Sequence, residues 1–310
     1  MEMAIILFNK LLSLFILIGV GFVMVRSGLL KSEDSRSLSM LSLYVVCPIA
    51  VMNGFEVDCT PEVLSGILLA FCFALLTHVV FILGTQLLSK PLRLSALEKA
   101  SVIYPNTGIL TIPIVSSILG QEWVIYTCTY TAIQIVLLWS HCRMLISGEK
   151  RIELKRILLN SNMIAMYVGV FMLFTGFRFP GPIDSAIDSI SAMIGPVGMF
   201  VTGMIIGGMK LKNVFIFPRA WLTAVLRLVV LPVIMCLIAK FSGITRLIPT
   251  GETVLMISML SLSGPAGSTV LQMSRIYNSQ ETAEYASSIN IITMLLCAVT
   301  MPLIIALYFL

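Results

Sequence analysis

Charged side chains are scarce in this chain of 310 residues, and so are the residue types on which most enzymes depend. Lys, Arg, Asp and Glu make up 11% of the sequence, against roughly 25% in soluble domains. The two histidines, His78 and His141, lie far apart, and neither an H-E-x-x-H pair nor a glycine-rich phosphate loop is present. These absences argue against a metallopeptidase and an ATP-driven pump. We therefore predict no enzyme activity, no metal and no other cofactor.

Carboxylates are missing from the centres of the apolar stretches. Glu98, Glu122 and Glu252 all lie at the ends of such stretches. An intramembrane acid–base enzyme needs a pair of central carboxylates, and proton-driven carriers often use one. The absence weakens a carboxylate relay for protons, but it leaves sodium coupling and uniport open. Seven cysteines without a C-x-x-C pair are interpreted as apolar fillers.

What the chain has in abundance is apolar residues, which make up 58% of it and fall in long runs. A helix needs about 20 such residues to cross a bilayer. We predict an all-α membrane protein with ten transmembrane helices and short connections. The predicted spans are residues 4–26, 36–54, 63–88, 97–119, 122–143, 160–177, 184–209, 219–241, 250–275 and 283–309.

The basic residues are distributed unevenly between the two sets of alternate connections. One set holds fifteen Lys and Arg residues and the other holds four. Because basic connections stay in the cytoplasm, both termini are predicted on the non-cytoplasmic side of the cytoplasmic membrane. The net charge of +5 therefore reflects topology and not a nucleic-acid surface. Glu2 and Lys10 also make the first span unlike a cleaved signal peptide.

The two halves of the chain share the positions of helix-breaking residues. A constant offset of 148 residues relates Gly21 to Gly169, Gly28 to Gly176 and Pro48 to Pro196. Each half has five spans, so the second half crosses the membrane in the opposite sense. We predict inverted five-helix repeats at residues 1–143 and 160–310, joined by a cytoplasmic connection at 144–159. The offset becomes 152 if Pro113 pairs with Pro265.

Two predicted helices are interrupted, the fourth by YPNTGILTIPIV at 104–115 and the ninth by SLSGPAGSTV at 261–270. Proline removes a backbone donor and glycine relaxes the backbone, so polar groups are freed that lipid cannot satisfy. Such breaks are tolerated at membrane depth only where protein buries them or they line a cavity. Paired breaks in two halves indicate the binding site of a secondary transporter.

The first break offers Asn106, Thr107, Gly108 and Pro113 as substrate-binding candidates. The half-helix that begins there exposes amide N–H groups and a partial positive charge, which suit a carboxylate. Asn106 has an amide that can donate as well. The alternative is that Asn106 only caps the half-helix.

The second break offers Ser263, Gly264 and Pro265, with Gln272 one turn beyond. Small residues here also allow two crossing backbones to approach closely, which is the alternative to substrate contact. Two further candidates lie elsewhere. Arg227 lies in the middle of the eighth span, where a buried charge costs roughly 2.5–3.5 kcal/mol and needs a partner. It either neutralises an anion or binds freed carbonyls, and we favour the carbonyls. Asn53, after Pro48, is a candidate on the second span.

Five segments resemble the auxin efflux carrier family, which includes plant PIN proteins and bacterial permeases annotated for malate or malonate. They are N-T-G-x-x-x-I-P after Pro105, S-N-M-I-A at 161–165, Arg227-Leu-x-x-x-Pro232, Pro265-Ala266 followed by Tyr277, and Thr300-x-Pro302. The resemblance implies that helices four and nine cross at their prolines. It also implies a scaffold of helices 1, 2, 6 and 7, often dimeric, and a transport domain of helices 3–5 and 8–10 that moves as an elevator. Many relatives have glycine where this chain has Thr111.

Together these features predict a carrier for a small organic anion, either a carboxylate such as malate or an auxin-like indole acid. The expected partners are that anion, a coupling Na+ or H+, the lipid bilayer and a second copy of the chain through the scaffold helices. One alternative is a sodium-coupled carrier of the bile-acid symporter type, which also has crossed helices. Another is a membrane receptor that binds the ligand without transporting it.

Overall fold

A computed structural model describes residues 2–149, 154–209 and 214–310, with side chains from Ile5 onward. The predicted connection at 144–159 lies partly outside the described residues. In chain order the helices are α1 (Glu2–Arg26), α2 (Ser32–Asn53), α3 (Pro61–Leu92), α4a (Ala96–Ile103), α4b (Thr107–Ile118), α5 (Gln121–Ser147), α6 (Ser161–Thr175), α7 (Gly181–Gly208), α8 (Pro218–Phe241), α9a (Gly251–Leu262), α9b (Ser268–Tyr277) and α10 (Gln280–Phe309).

Within the described ranges, seven helices are long and apolar enough to cross a membrane: α1, α2, α3, α5, α7, α8 and α10. Three shorter helices, α4b, α6 and α9a, are apolar as well. The prediction of an all-α membrane protein is confirmed. Large apolar side chains such as Ile16 on α1 and Phe171 on α6 are about three-fifths exposed, as a lipid-facing surface requires.

The break in the fourth helix lies at residues 104–106 and has a local cause. α4a begins with a capping box, in which Ser95 and Glu98 exchange hydrogen bonds, and it ends at Ile103. Tyr104 is extended (φ −105°, ψ 110°), as expected for a residue that precedes a proline. Pro113, which the sequence places within the interrupted stretch at 104–115, lies inside α4b and does not interrupt it. The prediction that Pro113 belongs to the break is wrong.

In the described part of the chain, three helices contain a π-helical turn, at Ser42–Val46, Leu138–Cys142 and Leu226–Val230. Pro48 and Pro232 each follow such a turn by two residues, and a proline without an N–H donor favours a widened turn before it. The turn in α5 has no proline beside it. It contains His141.

Glycines bring α1 and α7 into close contact. A Cβ atom at Gly21 would overlap the Phe200 carbonyl, and one at Gly203 would overlap the Ile18 carbonyl. Gly203 and Gly207, four residues apart on α7, therefore pack within the chain against α1. α2 packs on α6 and α7, whereas α3 packs on α5 and α9a, and α8 and α9b pack on α10. α1 also touches α10 and α4b, and α7 touches α4b, so the second half of the broken fourth helix lies beside both.

Candidate functional site

The two broken helices meet backbone to backbone at Pro105 and Ala266, which form an isolated antiparallel β-bridge. The N–H of Asn106 donates to the Pro265 carbonyl at 2.9 Å, and the N–H of Gly267 donates to the Tyr104 carbonyl at 2.9 Å. Each break therefore satisfies polar groups that the other break has freed, which makes both tolerable at membrane depth.

Side chains from α5 and α10 bind the two central carbonyls in a matched way. Gln134 on α5 donates to the Pro105 carbonyl at 2.6 Å, and Asn290 on α10 donates to the Ala266 carbonyl at 2.7 Å. The N–H of Ala266 donates to the Thr293 hydroxyl at 3.0 Å. Pro105 has no N–H, so the first break needs no counterpart of Thr293. The hydrogen bonds around the crossing thus follow a local two-fold pattern.

Thr107, the first residue of α4b, is fixed by this network. Its hydroxyl donates to Oε1 of Gln134 at 2.6 Å and lies 3.4 Å from the Ser261 carbonyl. The side chain is buried. Thr107 therefore holds α4b against α5 and α9a through its side chain and offers a ligand mainly its backbone N–H.

Arg227 lies in the π-helical turn of α8, is completely buried, and binds both broken helices. Its guanidinium donates to the carbonyls of Val102 (3.0 Å), Leu262 (2.6 Å) and Gly264 (3.1 Å). Val102 and Leu262 lie in the last turns of α4a and α9a, where the helix dipole is negative, and Gly264 lies in the second break. A guanidinium is well suited to that position, because it stays charged and presents several donors in fixed directions.

A second arginine of α8 binds the other end of α4a. Arg219 binds both carboxylate oxygens of Glu98, at 2.7 and 2.9 Å, and also contacts the carbonyls of Leu92 and Arg93. Glu98 is buried and accepts a further hydrogen bond, at 2.7 Å, from the hydroxyl of Tyr285 on α10. α8 therefore clamps α4a at its first and its last turn.

α4b and α9b begin at the crossing, and the three carbonyls that Arg227 binds precede them in the chain, so Arg227 leaves both N-terminal ends to other partners. The side chain of Asn106 is half-buried and makes no capping hydrogen bond to α4b, so the simple capping alternative is not what the structure contains. Gly108 lies in the first turn, where an added Cβ would contact Cys47 of α2 at 3.7 Å. Ser268 begins α9b and is half-buried. Two helix N-termini and one free amide form a set of donors that suits an anion.

Several predicted candidates lie apart from this set of donors. Pro113 packs beside Gly195 of α7, and Gln272 is exposed on α9b. Asn53 is buried at the end of α2 and donates to Asp188 at 3.0 Å. Three other predicted candidates do lie at the crossing and are buried: Ser263, Gly264 and Pro265.

Sequence reasoning missed the roles of Asn290 and Thr293. Their signal was two polar residues three positions apart, and hence on one face, within an apolar helix.

The chain belongs to the membrane transport protein family, the family of the PIN-like auxin efflux carriers. The model of this family matches residues 6–155 and 150–305, and so nearly the whole chain. The resemblance drawn from the sequence motifs is confirmed, and the chain is a multi-pass membrane transporter. No curated protein matches it.

Proposed function

We propose that this transporter carries a small organic anion, which binds where α4b and α9b begin. The observation that supports this most is the separation of charge across the crossing. Arg227 binds the negative C-terminal ends of α4a and α9a, while the positive N-terminal ends of α4b and α9b are left for a ligand. Each helix N-terminus carries roughly half an elementary charge, so two together attract a carboxylate.

The substrate class follows from the donors. Backbone N–H groups at Thr107, Gly108 and Ser268 and the amide of Asn106 all donate, and a carboxylate accepts from several donors at once. A malate-like carboxylate or an auxin-like indole acid fits this description, with no cofactor involved. Among the described residues at the crossing, no aspartate or glutamate opposes an anion.

The finer architecture is part of the proposal. The two-fold pattern of hydrogen bonds at Pro105 and Ala266 supports inverted five-helix repeats, with ten crossings in all. α1, α2, α6 and α7 would serve as the scaffold, with its exposed apolar faces available for a homodimer, and the other helices would move against it as an elevator. The fifteen basic residues of one set of connections support a cytoplasmic location for that face and an outer location for both termini.

The test is radiolabelled counterflow in proteoliposomes with mono- and dicarboxylates and an indole acid. Asn106→Ala should lower the flux at least about tenfold. It removes one hydrogen bond to the charged anion, and such a bond is worth about 1.5–3 kcal/mol. Asn9→Ala is the matched control, because Asn9 is exposed on α1 and belongs to neither break. Equal flux in wild type and Asn106→Ala would remove Asn106 from the site.

The same vesicles separate the alternative classes. Flux that requires a sodium gradient would point to a carrier of the bile-acid symporter type. Saturable binding without any counterflow would point to a receptor and contradict the proposal.

A further inference from the structure

Tyr104, the first residue of the break in the fourth helix, contacts a histidine on α5. Its side chain is completely buried, and its carbonyl accepts the hydrogen bond from Gly267 that joins the two breaks. Its hydroxyl lies 2.8 Å from Nδ1 of His141 and 3.3 Å from the Leu137 carbonyl. A change in that hydrogen bond therefore acts on a residue of the crossing itself.

His141 lies in the π-helical turn Leu138–Cys142 and is half-buried. Such turns are frequent at functional sites. Among side chains, an imidazole is the one whose ordinary pKa lies closest to physiological pH, which makes it a common proton carrier. The spans offer no central carboxylate for this task, and His141 is bonded directly to a residue of the break.

The two distances from the Tyr104 hydroxyl, to His141 and to Leu137, correspond to two hydrogen-bonding arrangements. With neutral His141, the Tyr104 hydroxyl donates to the lone pair on Nδ1. When a solvent proton binds Nδ1, the new N–H donates to the Tyr104 oxygen, and the Tyr104 hydroxyl turns to the Leu137 carbonyl. The tyrosine keeps its own proton in both states. Proton uptake thus reverses one hydrogen bond and adds another.

Among the residues that the structure describes, the charged neighbours of His141 are mostly cations. Lys99 of α4a interacts electrostatically with the His141 imidazole. Arg143 lies two residues after His141 on α5 and pairs with Glu149. The short helix Leu154–Leu158, with Lys155 and Arg156, packs against the same turn. Tyr277 of α9b faces Arg143 and Arg156. Because these neighbours are cations, an anion that binds nearby offsets their charge and so favours protonation of His141.

We propose that His141 is the proton-binding site of this carrier, and that a proton there and the organic anion at the crossing bind together. This inference rests on the proposed function. His78 does not fit the role, because it is completely buried and its Nδ1 lies 2.8 Å from the Ala74 carbonyl of its own helix.

The first arm of the test uses the fact that the chain has only two histidines. In ¹⁵N-histidine-labelled protein in nanodiscs, the imidazole of His141 should titrate while that of the completely buried His78 stays neutral. The midpoint of His141 should move in Tyr104→Phe and again on addition of the transported anion. Absence of titration, or a midpoint unmoved by Tyr104→Phe, would overturn the proposal.

The second arm is counterflow at different pH values. Wild-type KM for the anion should fall at least about fivefold from pH 8 to pH 6, the lower range of coupling between two sites. His141→Gln should have a KM independent of pH, while Ser140→Ala, on the same turn, should behave as wild type. A His141→Gln variant that keeps the wild-type profile, or one slowed equally at every pH, would overturn proton binding there.

Failure of the proposed function has a different signature. If wild type shows no counterflow with any anion and no anion alters the histidine titration, then both the anion carrier and its proton site are wrong.

Discussion

Replacing Arg227 with methionine should destabilise the protein severely. Methionine is also unbranched at Cβ, but it is shorter and has no donors, so the carbonyls of Val102, Leu262 and Gly264 lose the partner that a fully buried guanidinium gave them. Each buried acceptor left without a partner costs about 1–3 kcal/mol, and removing one member of a buried charge pair costs about 3–5 kcal/mol. We expect a loss on the order of 4 kcal/mol, because helix C-termini carry partial charges only.

Such a loss corresponds to a melting temperature lower by roughly 10 °C at this chain length. The assay is thermal unfolding of detergent-purified protein by intrinsic fluorescence, together with the monodisperse fraction after size exclusion. Arg246→Met is the control, since Arg246 is exposed and should leave the melting temperature unchanged. An Arg227→Met protein with wild-type stability and no transport would refute the structural role and support direct contact with the anion.

Two further predictions concern the crossing and the segment after α2. Gly267→Ala should lower both stability and flux, because the new Cβ would lie 3.1 Å from the Pro105 carbonyl oxygen, whereas Gly19→Ala, which meets nothing within 4 Å, should do neither. Unchanged flux in Gly267→Ala would contradict a tight crossing. Burial and the neighbouring Asp184 carboxylate raise the pKa of Glu56, against the opposing effect of Arg178. A glutamate whose pKa is raised by folding contributes stability that is fully present below its unfolded-state pKa. That contribution is lost as pH rises through its folded-state pKa. Glu56→Gln should therefore flatten the decline of melting temperature above about pH 4.5, and a decline that persists would contradict this origin.

The breaks themselves were predictable, since they depend on the local chemistry of proline and glycine. Which proline opens the fourth helix was not. Pro105 follows an extended tyrosine and ends α4a, whereas Pro113 continues α4b with its ring beside Gly195 of α7. The room that Gly195 leaves comes from a helix that is distant in sequence, so a local pattern cannot predict it.

The side chains that hold the crossing were only partly predictable. Asn106 and Thr107 belong to the break and were identified with it. Gln134 and Asn290 bind carbonyls 29 and 24 residues away, on other helices, and nothing in the local pattern indicates those partners. Arg227 could be assigned to freed carbonyls because a buried charge requires partners, although the three carbonyls became identifiable only in the fold.

The most direct test of an anion site at the crossing is protection of a thiol placed there. Asn106→Cys would be made in a background with Cys59→Ser and Cys72→Ser, because those two native thiols are exposed while the others are buried. The account predicts that the transported anion slows modification of this thiol by a small maleimide, with half-protection at its KM for transport, and leaves an Asn9→Cys thiol unaffected. Modification at position 106 that proceeds at the same rate with and without saturating anion would contradict the account.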